Sequence, residues 1–391
     1  MNDLKTAMNI LIDIRPLMDE RYSGVAEYTV ELLRAIFMFD QTNNYWLFYN
    51  SARDIRYRLP VFNQPNVRVI RTRFPNKILN YAFLKIFQRP YFDRLIGEKI
   101  DIFFMPHFNF AAWSPSVTSV LAVHDISFLH YQEFFSWRKN IWHRLLGVKK
   151  LIGRFSKIVT LSENTRVDVI NTVKVRGEKV TTFYSGISSV FKKYAIDNQE
   201  IKRVKEKYRL PDNFLLFLGT VEPRKNIEGL IRAFEIVKQR QPSDLKLVIA
   251  GGRGWKSKPI YEAAAKSSQT TDIIFLGYVE AYEKVFLYNL ATLFVYPSFY
   301  EGFGFPPLEA MACGVPTIVS AVSSLPEIVE GAAIMIDPYN PQAIATAIVE
   351  ILNDTSFSQS LGEKGRQQAE KFTWEKTARQ YVELFTSLHT E

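Results

Sequence analysis

The sequence predicts an α/β protein of two doubly wound domains with mostly parallel sheets. Three observations carry this. The chain has 391 residues, more than the roughly 250–300 at which a single hydrophobic core stops growing. Short apolar runs alternate with helical segments along the chain, as parallel strands joined by crossover helices require. The alternation stops once, at a charged stretch from Lys192 to Lys207 closed by Pro211, and then restarts. The expected organisation is a first domain over residues 1–191, a linker over 192–210, a second domain over 211–373 and a final helix over 374–391.

In the first half, strands are predicted at Asn9–Ile14, Tyr45–Tyr49, Val67–Ile70, Ile102–Met105, Ser119–Val123, Lys157–Thr160 and Lys179–Phe183. Helices are predicted near Val25–Phe39, Ile78–Ile96, Arg138–Arg154 and Asn164–Val173. The second half repeats the pattern, with strands at Phe214–Leu218, Lys246–Ile249, Ile273–Leu276, Thr292–Tyr296, Thr317–Ser320 and Ala333–Ile336. Its helices are expected at Asn226–Gln239, Tyr282–Leu290, Pro306–Ala312, Pro341–Leu352, Ser356–Lys371 and Trp374–Leu388. In doubly wound sheets the ligand lies at the strand carboxyl ends, so the chemistry is sought where each strand runs out.

Composition narrows the function classes. An apolar fraction of 47% with 30 phenylalanines argues for packed globular domains. A single cysteine leaves no disulfide framework or thiolate metal cluster, which fits a reducing cytoplasm. Met1–Met8 carries charges and no apolar core of a secretory signal, and no segment reads as a membrane span. The net charge of +9 is one-sided: Met1–Glu200 holds 28 Lys and Arg against 18 Asp and Glu, the rest 21 against 22. From Ser136 to Lys157 there are seven cations and no acid, interleaved with Trp137, Ile141, Trp142, Leu145, Leu146, Leu151, Ile152 and Phe155. This reads as one amphipathic basic helix, either docking on an anionic membrane face or packing on the sheet with a solvated basic side.

The densest chemistry lies between Pro297 and Pro316, in the sequence PSFYEGFGFPPLEAMACGVP. Pro306 and Pro307 fit only the first turn of a helix, so Glu301 belongs to a glycine-rich loop and Glu309 sits about one turn into the helix that follows. The N–H groups of Phe303, Gly304 and Phe305 then crowd a helix N-terminus, a ready anion site. Two carboxylates beside such a site suit a ligand with many hydroxyls and a diphosphate. A second cluster, Gly219-Thr220-Val221-Glu222-Pro223-Arg224-Lys225-Asn226, follows a buried strand and places two cations before a helix expected to be capped by Asn226. Fixed cations stabilise the charge that develops on a departing diphosphate. No Asp-x-Asp pair follows any strand, so no metal site is expected. Cys313 reads as core.

These motifs resemble the retaining glycosyltransferases of family 4, which have the GT-B fold of two facing Rossmann-like domains. The resemblance rests on the Glu-x7-Glu pair Glu301 and Glu309 within its glycine and proline setting, and it covers nearly the whole chain. It implies an acceptor-side first domain, a nucleotide-sugar-binding second domain and a last helix that crosses back to the first. It implies donor-binding roles for Ser298, Phe303, Gly304, Phe305 and Glu309, with Glu309 on the ribose and Glu301 positioning the sugar. Lys225 matches a lysine of the family, and Arg224 stands as the second cation where many members have Gly-Arg instead of Gly219-Thr220. His124, in Val120-Leu121-Ala122-Val123-His124-Asp125, matches a His-Asp whose histidine contacts the donor sugar, with Asp125 structural; a satisfied core histidine is the other reading. Ser23-Gly24 resembles the family's first glycine loop, with Ser23 in place of one glycine. Gly251 borders the diphosphate, and Tyr278 and Val279 after Gly277 line the base pocket. His107, Arg15 and Arg21 are weaker candidates for the acceptor side.

The implied function is transfer of a hexose, with mannose favoured, from a nucleoside-diphosphate sugar to a lipid-linked or polysaccharide acceptor. The chain looks most like bacterial mannosyltransferases of polysaccharide assembly, so GDP-mannose is the favoured donor. No cofactor and no nucleic acid are expected; catalysis is expected to be metal-independent. The expected place is the cytoplasm, with peripheral attachment to the inner face of the plasma membrane as a further expectation. Rival readings are a UDP-glucose or other UDP-sugar transferase, a sugar-nucleotide epimerase of the same fold, and a non-catalytic nucleotide-sugar-binding protein.

Overall fold

The computed structural model describes residues 7–20, 22–75, 85–195 and 197–390. Contacts divide it into two units. The first comprises the chain up to Ile126, Ile141–Gly186 and the chain from Thr373 on; the second comprises Ser127–Asn140 and Ile187–Phe372.

The first unit holds a sheet of seven parallel strands: β1 (Asn9–Asp13), β2 (Asn44–Asn50), β3 (Val67–Thr72), β4 (Ile102–Met105), β5 (Thr118–Val123), β6 (Lys157–Thr160) and β7 (Val180–Thr182), in the order β3-β2-β1-β4-β5-β6-β7. The order reverses between β1 and β4, so the carboxyl ends of these two strands form the crevice of the unit. Ile10, Leu11, Ile12, Ile102, Phe103 and Phe104 are fully buried, as strands covered on both faces must be. Helix α1 (Gly24–Phe39) starts at Ser23, whose Oγ accepts from the Ala26 N–H. The serine that departs from the family's glycine pattern is therefore the helix cap.

In chain order after β5 come α2 (Ser127–His130) and the start of α3 (Trp137–Leu146), which belong to the second unit, then the rest of α3, α4 (Val148–Arg154) and α5 (Glu163–Val173) in the first. The expected single helix over Arg138–Arg154 is thus two. Gly147 breaks it with a left-handed backbone, φ 63°, a conformation only glycine adopts without strain. The helix expected over Ile78–Ile96 falls at its start, residues 78–84, outside the described ones. Its described remainder has only a π turn over residues 85–87 and a 3₁₀ turn at Asp93–Leu95.

In the second unit six parallel strands, β8 (Phe214–Leu218), β9 (Lys246–Ala250), β10 (Ile273–Gly277), β11 (Leu293–Tyr296), β12 (Thr317–Ser320) and β13 (Ile334–Ile336), run in the order β10-β9-β8-β11-β12-β13. Here the switch lies between β8 and β11. The charged stretch contains α6 (Gln199–Tyr208), anchored through Lys207 and Tyr208 on the buried Glu283. Then follow α7 (Ile227–Arg240), α8 (Lys258–Lys266), α9 (Lys284–Leu290), α10 (Phe305–Ala312), α11 (Leu325–Val329), α12 (Pro341–Asn353) and α13 (Thr355–Ala369). Sequence patterning missed α8 and α11, which are short and begin at Lys-Pro and Leu-Pro without a side-chain cap. The last helix, α14 (Trp374–Thr390), packs on α1 within the first unit, where the buried Tyr28 and Tyr381 hydroxyls meet at 2.8 Å.

Candidate functional site

The carboxyl ends of β8 and β11 are neighbours, so the two strongest sequence clusters meet at the switch point of the second unit. Beyond β8, Pro223–Lys225 forms a 3₁₀ turn. Beyond β11, the loop carrying Glu301 folds back over it. The Lys225 ammonium donates to Glu301 Oε1 at 2.6 Å and to the Tyr296 hydroxyl at 2.5 Å. The Arg224 guanidinium meets Glu301 Oε2 at 3.0 Å and Glu222 Oε1 at 2.8 Å, and donates to the Tyr300 carbonyl at 2.6 Å. Glu301, Lys225 and Glu222 are buried. Burial alone would raise the Glu301 carboxyl, but Arg224 and then Lys225 pull it down to about 2. Lys225 is lowered by burial and by Arg224, with Glu301 opposing.

The Glu301 loop is held from a third strand. The Glu301 N–H donates to Ser323 Oγ at 2.9 Å, and the Ser324 hydroxyl donates to the carbonyls of Glu301 and Phe303 at 3.0 and 2.8 Å. Sequence reading missed both serines; their only signal is a position just past the apolar run of β12. Gly304 takes φ 113° and Phe305 opens α10, with Pro306 and Pro307 in its first turn. Glu309, four residues further, is buried and accepts from the Tyr288 hydroxyl at 2.8 Å. Ser298 and Phe303 are buried beside this loop. Cys313 is buried, and burial pushes its thiol up, as core packing requires.

At the edge of the same site, three strands end in glycines. The Gly219 N–H donates to the Ala250 carbonyl at 2.9 Å and the Gly251 N–H to the Gly277 carbonyl at 2.8 Å. A Cβ on Gly251 would lie 1.8 Å from the Gly219 carbonyl oxygen, so the close approach of these turns admits no side chain. Tyr278 is exposed and Val279 buried at the end of β10. Asn226 is a correction. It does not cap α7 but takes a left-handed backbone, φ 54°, and its Nδ2 donates to the Pro338 carbonyl at 2.6 Å. The side chain ties the cation turn to the chain beyond β13.

In the first unit the switch point gathers Asp13, Arg15 and His107. Arg15 is buried and grips both oxygens of the fully buried Asp13, at 2.8 Å to Oδ1 and 2.5 Å to Oδ2, and it also donates to the Phe110 carbonyl. Burial would raise Asp13, yet Arg15 and His107 hold it below the usual carboxylate range. Arg15 is therefore pinned in place and does not stand open to an anion, as its sequence context had allowed. Burial lowers His107 to about 4, so its ring is neutral. At the end of β5, His124 Nε2 lies 2.9 Å from the Pro106 carbonyl. A carbonyl only accepts, so Nε2 carries the proton and Nδ1 presents a lone pair. Burial lowers this ring's pKa too, and it packs edge-on against Tyr28 at 4.6 Å. Gly24 opens α1, and Arg21 lies outside the described residues. Among the described residues no group of three or more His, Cys, Asp or Glu side chains is placed to hold a metal ion.

Known proteins resemble this chain. The family described as glycosyl transferases group 1 matches residues 198–368, the part that carries the Arg224, Lys225 and Glu301 cluster. O-antigen chain mannosyltransferase B of Escherichia coli is 33% identical over 276 residues, covering 69% of this chain and 70% of that protein.

The chain belongs to the glycosyl transferases group 1 family.

A serotype-specific mannosyltransferase, WbdA of Escherichia coli, is 32% identical over 69% of this glycosyltransferase, a match that spans 33% of WbdA's own length. Among solved structures, sucrose-phosphate synthase from Thermosynechococcus elongatus superposes with a TM-score of 0.75 at 21% identity, covering 98% of this chain and 99% of that one. At that identity the likeness speaks for the fold, which is GT-B: two Rossmann-like parallel-sheet domains. The glycosyltransferase's switch-point clusters are thus carried on the two sheets that the fold class requires. Among the described residues no helix is long and apolar enough to cross a membrane.

Proposed function

We propose that this glycosyltransferase moves a mannosyl residue from GDP-mannose to a lipid-linked or polysaccharide acceptor, with retention of the anomeric configuration and without a metal ion. The observation that carries the reading is the Glu301 carboxylate clamped between Arg224 and Lys225 at the β8/β11 switch point. The names of the mannosyltransferase relatives support the choice of sugar. Glu309, oriented by Tyr288, accepts from the ribose hydroxyls. The N–H groups at the start of α10 and the cations of the β8 loop take the diphosphate, whose charge grows as the bond to the sugar breaks. His124, with its Nδ1 lone pair, and Gly24 keep the donor contacts that the resemblance implies.

Glu301 is ion-paired and held near a pKa of 2, which makes it a weak base and ill-suited to take a proton from the acceptor. The reading therefore favours same-face substitution. The bond from the anomeric carbon to the leaving phosphate oxygen breaks, the acceptor oxygen bonds to that carbon from the same side, and the acceptor's proton goes to the departing phosphate oxygen. The electron pair of the broken bond leaves with the diphosphate, so charge and protons balance without a protein base.

Membrane attachment belongs to the same proposal. On α3, Trp137, Ile141 and Leu145 are exposed at four-residue intervals, and Arg138, Arg144, Lys149 and Lys150 lie exposed on α3 and α4. Apolar residues flanked by cations suit an anionic bilayer surface. Two of the segment's guanidinium groups lie over indole rings, Arg138 over Trp137 at 5.3 Å and Arg154 over Trp113 at 4.6 Å. The decisive test is transfer of radiolabel from a panel of nucleotide sugars to total membrane lipid. Transfer from GDP-mannose alone is the expected result; transfer only from a UDP-sugar would overturn the choice of donor.

A further inference from the structure

The cations in the β8 loop are already engaged. Arg224 is paired with Glu222 and Glu301, and Lys225 with Glu301. Two anions meet two cations, so the cluster by itself is close to neutral, while a nucleoside diphosphate brings further negative charge. One cation held beside this loop has no such partner. Lys139, on the exposed first turn of α3, places its Nζ 3.2 Å from the centroid of the Trp255 ring. Its ammonium makes no ion pair or hydrogen bond among the described residues.

Where Lys139 sits follows from how its segment is fastened. The Trp255 indole N–H donates to the Phe134 carbonyl at 2.6 Å, and the Phe135 ring stacks on the indole at 5.8 Å. Lys256 donates to the Glu133 carbonyl at 2.6 Å. Gly254, just before Trp255, donates to the Val221 carbonyl at 3.0 Å, and a Cβ there would lie 3.3 Å from Glu222 Cβ. From the other side Phe134 stacks on Phe299 at 5.6 Å with the ring planes nearly parallel, and the Phe299 N–H donates to the Arg224 carbonyl at 2.9 Å. The segment is thus tied to both flanks of the 220–225 loop. Lys139's pKa is lowered, first by desolvation, with Glu222 opposing and Arg224 adding; both charges of the loop are within its electrostatic reach.

We propose that Lys139 is a donor-binding residue, a third cation that pairs with the diphosphate of the nucleotide sugar. An indole face holds an ammonium in place without neutralising it, since the ring offers no carboxylate and leaves N–H donors for phosphate oxygens. Trp255 is then the seat that positions Lys139, and the aromatic contacts of Phe134 and Phe135 keep that seat beside the loop. The basic stretch Ser136–Lys157 accordingly has two roles. Lys139 serves the donor, and the cations of α3's later turns and α4 remain for a surface.

This inference rests on reading the second unit as a nucleoside-diphosphate site, and the experiment separates the two. Titration calorimetry measures GDP, GMP, UDP and UMP binding to the full-length enzyme and to Lys139→Met, Lys139→Arg and Trp255→Leu. Lys139→Met should weaken the preferred diphosphate by about 10-fold or more, the worth of one charge-assisted hydrogen bond, and leave its monophosphate within about 2-fold. Lys139→Arg should retain most of the affinity, and Trp255→Leu should lose part of it with the same preference for diphosphate over monophosphate. Equal losses for diphosphate and monophosphate, or no loss at all, would overturn the role of Lys139. If the wild-type enzyme binds neither GDP nor UDP, the donor-site reading falls first. Should Lys139→Met melt well below the wild type, the Lys139→Arg and Trp255→Leu comparison decides.

Discussion

Replacing Glu301 by Gln tests the central cluster, because one substitution removes the anion shared by the buried Lys225 and the partly buried Arg224. The distances to lose are 2.6 Å to Lys225 and 3.0 Å to Arg224. The magnitude can be worked in two ways. A carboxyl held at about 2 against an ordinary 4.5 corresponds to roughly 3 kcal/mol favouring its ionised, paired form. Stripping one partner from a buried ion pair costs about 3–5 kcal/mol in general. Arg224 keeps Glu222 as a partner, so the lower end is expected. The sign with pH follows from the lowered carboxyl: its contribution is fully present above the ordinary value of 4.5 and is lost as pH falls through about 2. Urea denaturation of wild type and Glu301→Gln, followed by tryptophan fluorescence from pH 7 to pH 3.5 (conditions set by the experimenter), should show a constant gap of about 3 kcal/mol at the upper end that narrows below pH 4.5. A gap under about 1 kcal/mol at neutral pH, the range of exposed pairs, or one that does not narrow on acidification, would refute the reasoning.

Three further outcomes are expected. Glu309→Gln should weaken donor binding by about 1–3 kcal/mol, for a charged hydrogen bond to the ribose lost, with calorimetry as the check; unchanged nucleotide affinity would remove Glu309 from the site. Transfer activity should survive excess EDTA, since the reading gives the charge on the diphosphate to protein cations; loss on chelation that magnesium or manganese restores would reverse it. The protein should bind anionic but not neutral vesicles in a salt-sensitive way, each surface cation adding roughly 1 kcal/mol. Arg144→Ser with Lys149→Ser and Lys150→Ser should abolish that binding, while hydrolysis of the donor persists. Indifference of the wild type to anionic vesicles at low salt would make α3 and α4 ordinary packed helices.

Local chemistry made much of this glycosyltransferase legible in its sequence. Apolar runs such as FLLFL at β8 mark buried parallel strands, because a strand covered on both faces has no use for alternation. Pro306 and Pro307 locate the first turn of α10, because proline lacks the N–H that later turns need. Those cues place Glu301 in a loop and Glu309 one turn into a helix. The basic stretch misled on two counts. Periodicity does not register a single left-handed glycine, so α3 and α4 read as one helix, and charge alone cannot tell a cation bound for a surface from one seated on Trp255. Asn226 looked like a cap because its type favours caps, but the cap geometry depends on a backbone angle that the tertiary structure sets.

The strand order lay beyond the sequence. Nothing local to β8 or β11 says that these strands, separated by β9 and β10 in the chain, lie side by side. That adjacency is decided by packing the helices on both faces of the sheet, a property of the whole domain. It brings Lys225 to Glu301 and the serines beyond β12 under the same loop. The sequence determined which groups the protein would use, since residue type and local backbone rules depend on near neighbours. Only the tertiary structure decided which of them meet, because an ion pair needs contact within a few ångströms and contact between distant segments exists only after the sheet has closed around its core.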